Sequence, residues 1–320
     1  MTGRIRGVMA GQLLVDLEHA GRRFGNLTAV DDLTLALRRG EILGLYGPSG
    51  SGKSTTIRMI LGIHRPTSGM VRVLGVPAHR LGAREREQIG YSPQSFLYPP
   101  TFSAEEAVSF AAGLYGKGWL WRRRAVRSML ERVELWDKRR HAVGTMSGGE
   151  RRRVANAAAL VHAPRLAILD EPTTGLDPLL RGRMWDWFRA LRNEGRTLLT
   201  TGHNMAEAES CDRVALLVEG RLRALGTPAE LRRQALGGEI VEVAVEGSLA
   251  PAIDALRQSD VIREVAVRGR DHLWLTVDSA GVALPLVVER LRQSNVAVTT
   301  ANEVRPPFDD VFERLVTGRA

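Results

Sequence analysis

The chain has 320 residues, enough for about two domains, and its 44% hydrophobic content supplies ordinary cores. No stretch reaches the roughly 18 apolar residues of a membrane-spanning helix, and Met1 to Gln12 lacks the long apolar core of a signal peptide, so the expected location is the cytoplasm, with any membrane role passing through a partner. The net charge of +9 comes almost wholly from arginines scattered through every segment, and with no zinc finger or aromatic RNA-binding motif beside them it gives little ground for a nucleic-acid partner.

Residues 1–12 read as a loose leader. From Leu13 to Leu37 the alternation suggests antiparallel strands. Ile42-Leu43-Gly44-Leu45-Tyr46 reads as a buried strand, and Thr55 to Leu61 as the first turns of a helix. Between them, Gly47-Pro48-Ser49-Gly50-Ser51-Gly52-Lys53-Ser54-Thr55 fits the phosphate-binding pattern of Gly, four residues, Gly-Lys-Ser/Thr, in the strand–loop–helix context the pattern needs. Glycines let backbone N–H groups curl around phosphate oxygens at a helix N-terminus, which adds a partial charge of roughly +0.5. Lys53 then reaches the β- and γ-phosphates, and the Ser54 hydroxyl binds Mg²⁺. The chain has only three lysines, Lys53, Lys117 and Lys138, and one falls on the motif, so a chance glycine turn is a poor explanation.

Residues 103–140 are helix-rich and include Trp119-Leu120-Trp121-Arg122-Arg123-Arg124, expected to be a helix with a partly buried tryptophan face and a solvated basic face. Met146-Ser147-Gly148-Gly149-Glu150 precedes a helical run, Val154 to Val161, so the N–H groups of Ser147, Gly148 and Gly149 are expected to form a second anion site. Over 160–225, strand–helix alternation returns and argues for an α/β core with a largely parallel sheet. Leu166 to Leu169 is an apolar strand ending in Asp170-Glu171, and Pro172-Thr173-Thr174-Gly175-Leu176-Asp177-Pro178 follows directly. A carboxylate at a strand's end can hold Mg²⁺ through its water shell, which suits Asp170. A second one beside it can orient or deprotonate the attacking water, which suits Glu171. Cys211, the single cysteine, excludes internal disulfides and reads as a packed core thiol where a helix runs into the strand Val214 to Val218.

Gly226-Thr227-Pro228 marks a boundary and Gly237-Gly238 a second joint. Beyond them come a strand (Ile240–Val245), a helix (Leu249–Gln258), paired strands (Val261–Val267 and His272–Val277), a helix (Val282–Gln293) and a last strand (Val296–Thr300). The order β-α-β-β-α-β suggests a small ferredoxin-like domain. The expected organisation is a leader over 1–12, a nucleotide-binding domain over 13–225 and an accessory domain over 226–320.

With these motifs in order, residues 13–225 resemble the nucleotide-binding subunit of an ABC transporter. The family's usual Leu-Ser-Gly-Gly-Gln signature appears here with Met146 and Glu150 at its ends. The resemblance implies a phosphate-loop ATPase domain with a parallel-sheet core, an antiparallel β subdomain and a helical subdomain. By the same resemblance, Gln94 in Tyr91-Ser92-Pro93-Gln94 senses Mg²⁺ and contacts the membrane subunit. Asp177 couples two active sites, His203 contacts the γ-phosphate, and Phe24 stacks on adenine where the family more often has tyrosine. In such a family the Ser147-Gly148-Gly149 site belongs to the opposite subunit. One copy of each motif therefore implies a dimer, by default of identical subunits in a 2+2 complex, closing on two ATP with Mg²⁺ and driving a separately encoded multi-span permease from the cytoplasmic face of the membrane. Lys53, Asp170, Glu171 and His203 are all present, so ATP hydrolysis is expected.

The tail Arg305-Pro306-Pro307-Phe308-Asp309-Asp310-Val311-Phe312-Glu313-Arg314-Leu315 resembles the ending of the daunorubicin/doxorubicin-resistance group of exporters. That resemblance implies a drug-like, antibiotic or lipid-like hydrophobic cargo, with the C-terminal domain steadying the dimer or restraining the ATPase. An exporter of polysaccharide or lipid conjugates with a cargo-sensing C-terminal domain is the alternative. A soluble relative acting on ribosomes or DNA is disfavoured by the single cassette and by the absence of a coiled coil between Thr55 and Ser147. Trp119 to Arg124 is the other segment suited to meeting lipid headgroups or the permease.

Overall fold

A computed structural model of the protein describes residues 13–116 and 118–317, so the expected leader over 1–12 lies outside the described residues. The described chain divides into two compact units, one ending at Leu225 and the other beginning at Gly226.

In the first unit, the alternating segment becomes β1 (Leu13–Phe24) and β2 (Leu27–Arg38), paired antiparallel across a tight turn at Gly25, whose φ is 55°. The strand β3 (Ile42–Tyr46) is buried at every residue, as expected of a parallel strand covered on both faces. After the phosphate loop, α1 runs over Lys53–Ile60, followed by β4 (Ser68–Val73), β5 (Val76–Pro77), the short α2 (Ala83–Arg86) and β6 (Ile89–Ser92). A helical stretch follows: α3 (Ala104–Gly113), α4 (Trp119–Arg132) and α5 (Gly148–Leu160) pack on one another. The chain then returns to alternation with β7 (Leu166–Asp170), α6 (Pro178–Asn193), β8 (Thr197–Gly202), β9 (Arg213–Val218) and β10 (Arg221–Gly226).

These strands form two sheets. One is antiparallel, in the order β2-β1-β4-β5. The other runs β10-β9-β3-β8-β7-β6, and β9-β3-β8-β7-β6 are parallel throughout. One core joins them: Leu17, Leu33 and Val71 from the antiparallel sheet pack with Leu45, Ile168 and Leu199 from the parallel one, and with Ile57 of α1. Cys211 is buried, and burial pushes its thiol up to about 12, which keeps it an inert core group. It follows a 3-10 turn over Met205–Ser210 rather than a regular helix.

The tryptophan segment departs from expectation. α4 buries Val126 and Leu130, one turn apart, while Trp119 and Leu120 are 61% and 66% exposed. Packing against α3 and α5 selects the middle of the helix and leaves its N-terminal turn in solvent.

In the second unit, Gly226-Thr227-Pro228 and Gly237-Gly238 prove to be the start and stop of a helix. Thr227 Oγ1 accepts the Glu230 N–H (3.2 Å), Glu230 Oε2 accepts the Thr227 N–H (2.7 Å), and Gly237, at a φ of 73°, ends α7 (Pro228–Leu236). β11 (Glu239–Val245), α8 (Leu249–Arg257), β12 (Ile262–Arg268), β13 (His272–Val277), α9 (Ala280–Gln293) and β14 (Val298–Val304) follow. Their sheet runs β12-β13-β11-β14, antiparallel at every pairing, so β13 lies between the two strands of a split β-α-β unit. This is the ferredoxin-like arrangement.

Two elements of this unit depart from their expected bounds by two residues or more. α9 begins two residues before Val282, because the Ala280 N–H donates to Glu239 Oε2 (2.8 Å), a bond invisible in the local sequence. The last strand starts later than Val296 and extends to Val304. Asn295 turns left-handed (φ 56°) and the Val296 N–H donates to Leu291 O (2.9 Å), closing the helix, while β14 pairs with β11 from Val298 to Val304. The tail forms a further helix, α10 (Phe308–Thr317), packed on α7. Its Phe308 is fully buried with the Arg232 guanidinium 5.6 Å from the ring centroid.

Truncating Phe308 to alanine removes the largest side chain that α10 buries. Phe308→Ala is expected to destabilise the C-terminal unit by about 3–5 kcal/mol, read as a lower guanidinium midpoint for that unit in the full chain.

Candidate active site

Tyr46 lies opposite Gly202, and Asp170 opposite Thr201, so three parallel strands end at one edge of the sheet. The phosphate loop springs from the end of β3. Gly47 and Gly52 adopt φ of 156° and 102°, and a Cβ on Gly47 would meet Leu217 O at 2.0 Å, so only glycine fits there. The buried Lys53 ammonium donates to Gly47 O (2.7 Å) and Pro48 O (2.9 Å). Burial lowers its pKa, opposed by the Glu171 and Asp170 carboxylates. The Ser51 hydroxyl is buried without a hydrogen-bond partner, an orphaned polar atom pointing to a ligand that would satisfy it.

Beside the loop lies a cavity of about 490 Å³, lined by Gly50 through Thr55, Phe24, Thr28 and Glu219. Its size and its phosphate-facing floor fit a nucleotide. Phe24, 40% exposed, stands at the rim with the Arg22 guanidinium 4.5 Å from its ring centroid and His64 edge-on at 5.3 Å.

At the end of β7, Asp170 is buried, and burial raises its pKa. Thr201 ties the two carboxylate residues together: its hydroxyl donates to Asp170 Oδ1 (2.5 Å) and accepts the Glu171 N–H (3.0 Å). Glu171 sits at a left-handed φ of 50°, a strain the surroundings must hold. Its carboxylate accepts the Thr174 hydroxyl (3.1 Å) at one oxygen and faces His203 Nδ1 at 3.3 Å with the other. Among the described residues no three His, Cys, Asp or Glu side chains gather to hold a metal. A magnesium ion here would rely on the buried Asp170 carboxylate, the Ser54 hydroxyl and phosphate oxygens, which suits its preference for few protein ligands.

The remaining sequence candidates lie elsewhere. Ser147 caps α5: its Oγ accepts the Glu150 N–H (3.2 Å), and its own N–H donates to Glu150 Oε2 (2.8 Å). The Ser147 amide is therefore engaged, which corrects the expected three-amide anion site. The amides of Gly148 and Gly149 and the Ser147 hydroxyl proton are what the turn offers. None of Ser147, Gly148 and Gly149 lines the phosphate-loop cavity. Gly148 instead lines a second cavity of about 280 Å³ with Gln94, Arg152 and Gly175. Asp177 is the N-cap of α6, accepting the Leu180 N–H at Oδ1 (3.0 Å).

Sequence reasoning missed Thr201, Thr174 and Arg152. The Arg152 guanidinium donates to Pro93 O (2.7 Å), Asp170 O (3.3 Å) and Gln94 O, joining α5 to the Pro93-Gln94 segment and to the end of β7. Only the Ser-x-x-Glu spacing of Ser147 and Glu150 carried a readable signal, that of a capping box.

Comparison with known proteins accords with this geometry. The ABC transporter model matches residues 30–174, and the model for the C-terminal domain of DrrA1-3-like ATP-binding proteins matches 226–316. The Nod factor export ATP-binding protein I of Rhizobium sp. (strain N33) is 34% identical over 309 residues, 96% of this chain and 98% of that one. The chain belongs to the ABC transporter family. The linearmycin resistance ATP-binding protein LnrL of Bacillus subtilis (strain 168) is 32% identical over 96% of this chain and 99% of its own length. The probable multidrug ABC transporter ATP-binding protein YbhF of Escherichia coli (strain K12) is 36% identical over 72% of this chain, which spans only 40% of YbhF. Among solved structures, the ATP-binding cassette MJ0796, in a dimeric post-hydrolysis state bound to ADP and Pi, superposes with a TM-score of 0.62 at 27% identity, covering 67% of this chain and 98% of that one.

Replacing Thr201 by valine leaves Asp170 Oδ1 and the Glu171 N–H unpaired in a buried ABC site. Thr201→Val is expected to cost about 1–3 kcal/mol in urea denaturation and to lower ATP turnover, with the folded far-UV spectrum retained.

Proposed function

We propose that the chain is the ATP-hydrolysing subunit of an ABC exporter, closing as a pair of subunits on two ATP and driving a separately encoded, multi-span membrane permease. The observation that carries this reading is the separation of two half-sites in one chain. Lys53 lines the phosphate-loop cavity, whereas Gly148 lines a different one and none of Ser147, Gly148 and Gly149 lines the first. A second copy of the chain supplies the missing half of each site.

The chemistry follows from the residues. Lys53 leaves the Gly47 and Pro48 carbonyls for the β- and γ-phosphates, and the loop amides take the remaining oxygens. Ser54, Asp170 and Gln94 would hold a magnesium ion, which would supply positive charge against the phosphates. Glu171 orients and deprotonates the attacking water. His203, 3.3 Å from the Glu171 carboxylate, turns its other face to the γ-phosphate. Phe24 offers its ring to adenine. Asp177 couples the two sites across the dimer.

The exposed apolar residues Leu97, Phe110, Leu114, Trp119 and Leu120 follow Gln94 in the chain and suit contact with a permease at the cytoplasmic face of the membrane. No helix of the described residues is long and apolar enough to cross a membrane itself. The DrrA1-3-like C-terminal match and the multidrug and linearmycin-resistance relatives favour a drug-like, antibiotic or lipid-like cargo. The Nod factor export relative keeps a polysaccharide or lipid conjugate as the second reading. No nucleic-acid role is proposed.

Glu171→Gln is expected to cut ATP turnover by about 100-fold or more while nucleotide binding survives, and to co-purify from detergent-solubilised cells with a stoichiometric multi-span membrane protein. Rapid steady turnover by this variant would overturn the role of Glu171. Ribosomal proteins or nucleic acid in the preparation would overturn the exporter reading.

A further inference from the structure

The first turn of α5 carries an electrostatic conflict. An anion site at a helix N-terminus works through free amides and a partial positive charge. Here the third residue of that helix is Glu150, where the family usually has an uncharged glutamine. Its carboxylate is 14% exposed, and one oxygen is fixed on the Ser147 N–H at 2.8 Å. A full negative charge therefore stands within a turn of the groups that would receive a phosphate, opposing its approach.

The conflict is answered from another element. Lys138, in the turn between α4 and α5, places its ammonium 2.5 Å from Glu150 Oε1. The arginines that follow Glu150 are directed elsewhere: Arg151 donates to Met146 O, Arg152 to Pro93 O and Asp170 O, and Arg153 to Val133 O. Among the described residues, Lys138 is the cation in ion-pair contact with this carboxylate, and Arg153 adds only a longer-range attraction. The ammonium and the Ser147 amide together hold the Glu150 carboxyl at about 2, so it is charged at every physiological pH and protonation cannot resolve the conflict.

We propose that Lys138 is a positioning residue for ATP binding across the dimer: by pairing with Glu150 Oε1 it cancels the carboxylate's charge and holds it on the Ser147 amide, leaving the Gly148 and Gly149 amides and the Ser147 hydroxyl to meet the γ-phosphate of ATP held by the second subunit. The proposal rests on the reading that the two half-sites join between subunits. It explains why a glutamate is compatible with the signature turn in this chain. It also gives a role to one of only three lysines in an arginine-dominated sequence. Because Lys138 is 54% exposed, the pair is open to screening, so its effect depends on salt.

The test measures ATP-driven dimerisation of the full chain in a Glu171→Gln background by sedimentation, with fluorescent-ATP binding to the monomer read in parallel. Lys138→Met is expected to raise the ATP concentration for half-dimerisation about 10-fold, equivalent to about 1.4 kcal/mol, with monomer binding unchanged. Lys138→Arg is expected to restore the original midpoint. Lys138→Met combined with Glu150→Gln is expected to restore it too, because no charge then remains to cancel, and the Lys138→Met defect should shrink as salt rises. A purely structural role for Lys138 gives a defect that Glu150→Gln does not repair, and that result overturns the proposal. So does a Lys138→Met chain that dimerises like its parent. If the Glu171→Gln parent itself stays monomeric with ATP, the two-subunit reading falls first and the proposal falls with it.

Discussion

Register between parallel strands sets the chemistry of the N-terminal unit. Pairing of Tyr46 with Gly202 and of Asp170 with Thr201 makes β3, β7 and β8 end together, and each is followed at once by a functional element. The glycine loop leaves β3, Glu171 leaves β7, and His203 leaves β8. Ligands of open parallel sheets gather beyond the carboxyl ends of their strands. A one-residue slip of β7 would reverse the direction of Asp170 and withdraw it from Thr201.

That edge concentrates charge in a buried place. Lys53 and Asp170 are each pushed towards neutrality by burial and drawn back by one another. Such a site gains when phosphate and magnesium supply the opposite charges. The signature turn on α5 shows the reverse design. There the protein supplies its own counter-ion, and Arg152 fastens the same helix to the Pro93-Gln94 segment and to Asp170 O. The N-terminus of α5 and the Pro93-Gln94 segment are thus joined mechanically within one chain before any second subunit arrives.

How much of this the sequence disclosed depended on how local each feature is. The phosphate loop was legible because its glycines and lysine act through their own backbone, and β13 was legible to the residue because its alternation is complete. β14 was misplaced because its Thr-Thr-Ala-Asn-Glu run has no hydrophobic pattern and its extent is set by β11. The exposure of Trp119 was missed because neighbouring helices decide which part of α4 is buried. Arg152 gave no signal, since a guanidinium binding main-chain carbonyls leaves no motif. The capping box of Ser147 and Glu150 is carried locally, by the Ser-x-x-Glu spacing.

On the proposed reading, Ser147 of one subunit meets ATP held by Lys53 of another. Sedimentation of Glu171→Gln and of Glu171→Gln combined with Ser147→Arg, each with ATP and magnesium, tests it most directly. The first is expected to form a nucleotide-bound dimer and the second a monomer that still binds ATP. A double variant that dimerises as before, or whose monomer loses ATP, would contradict that reading by showing that Ser147 is dispensable or acts within its own chain.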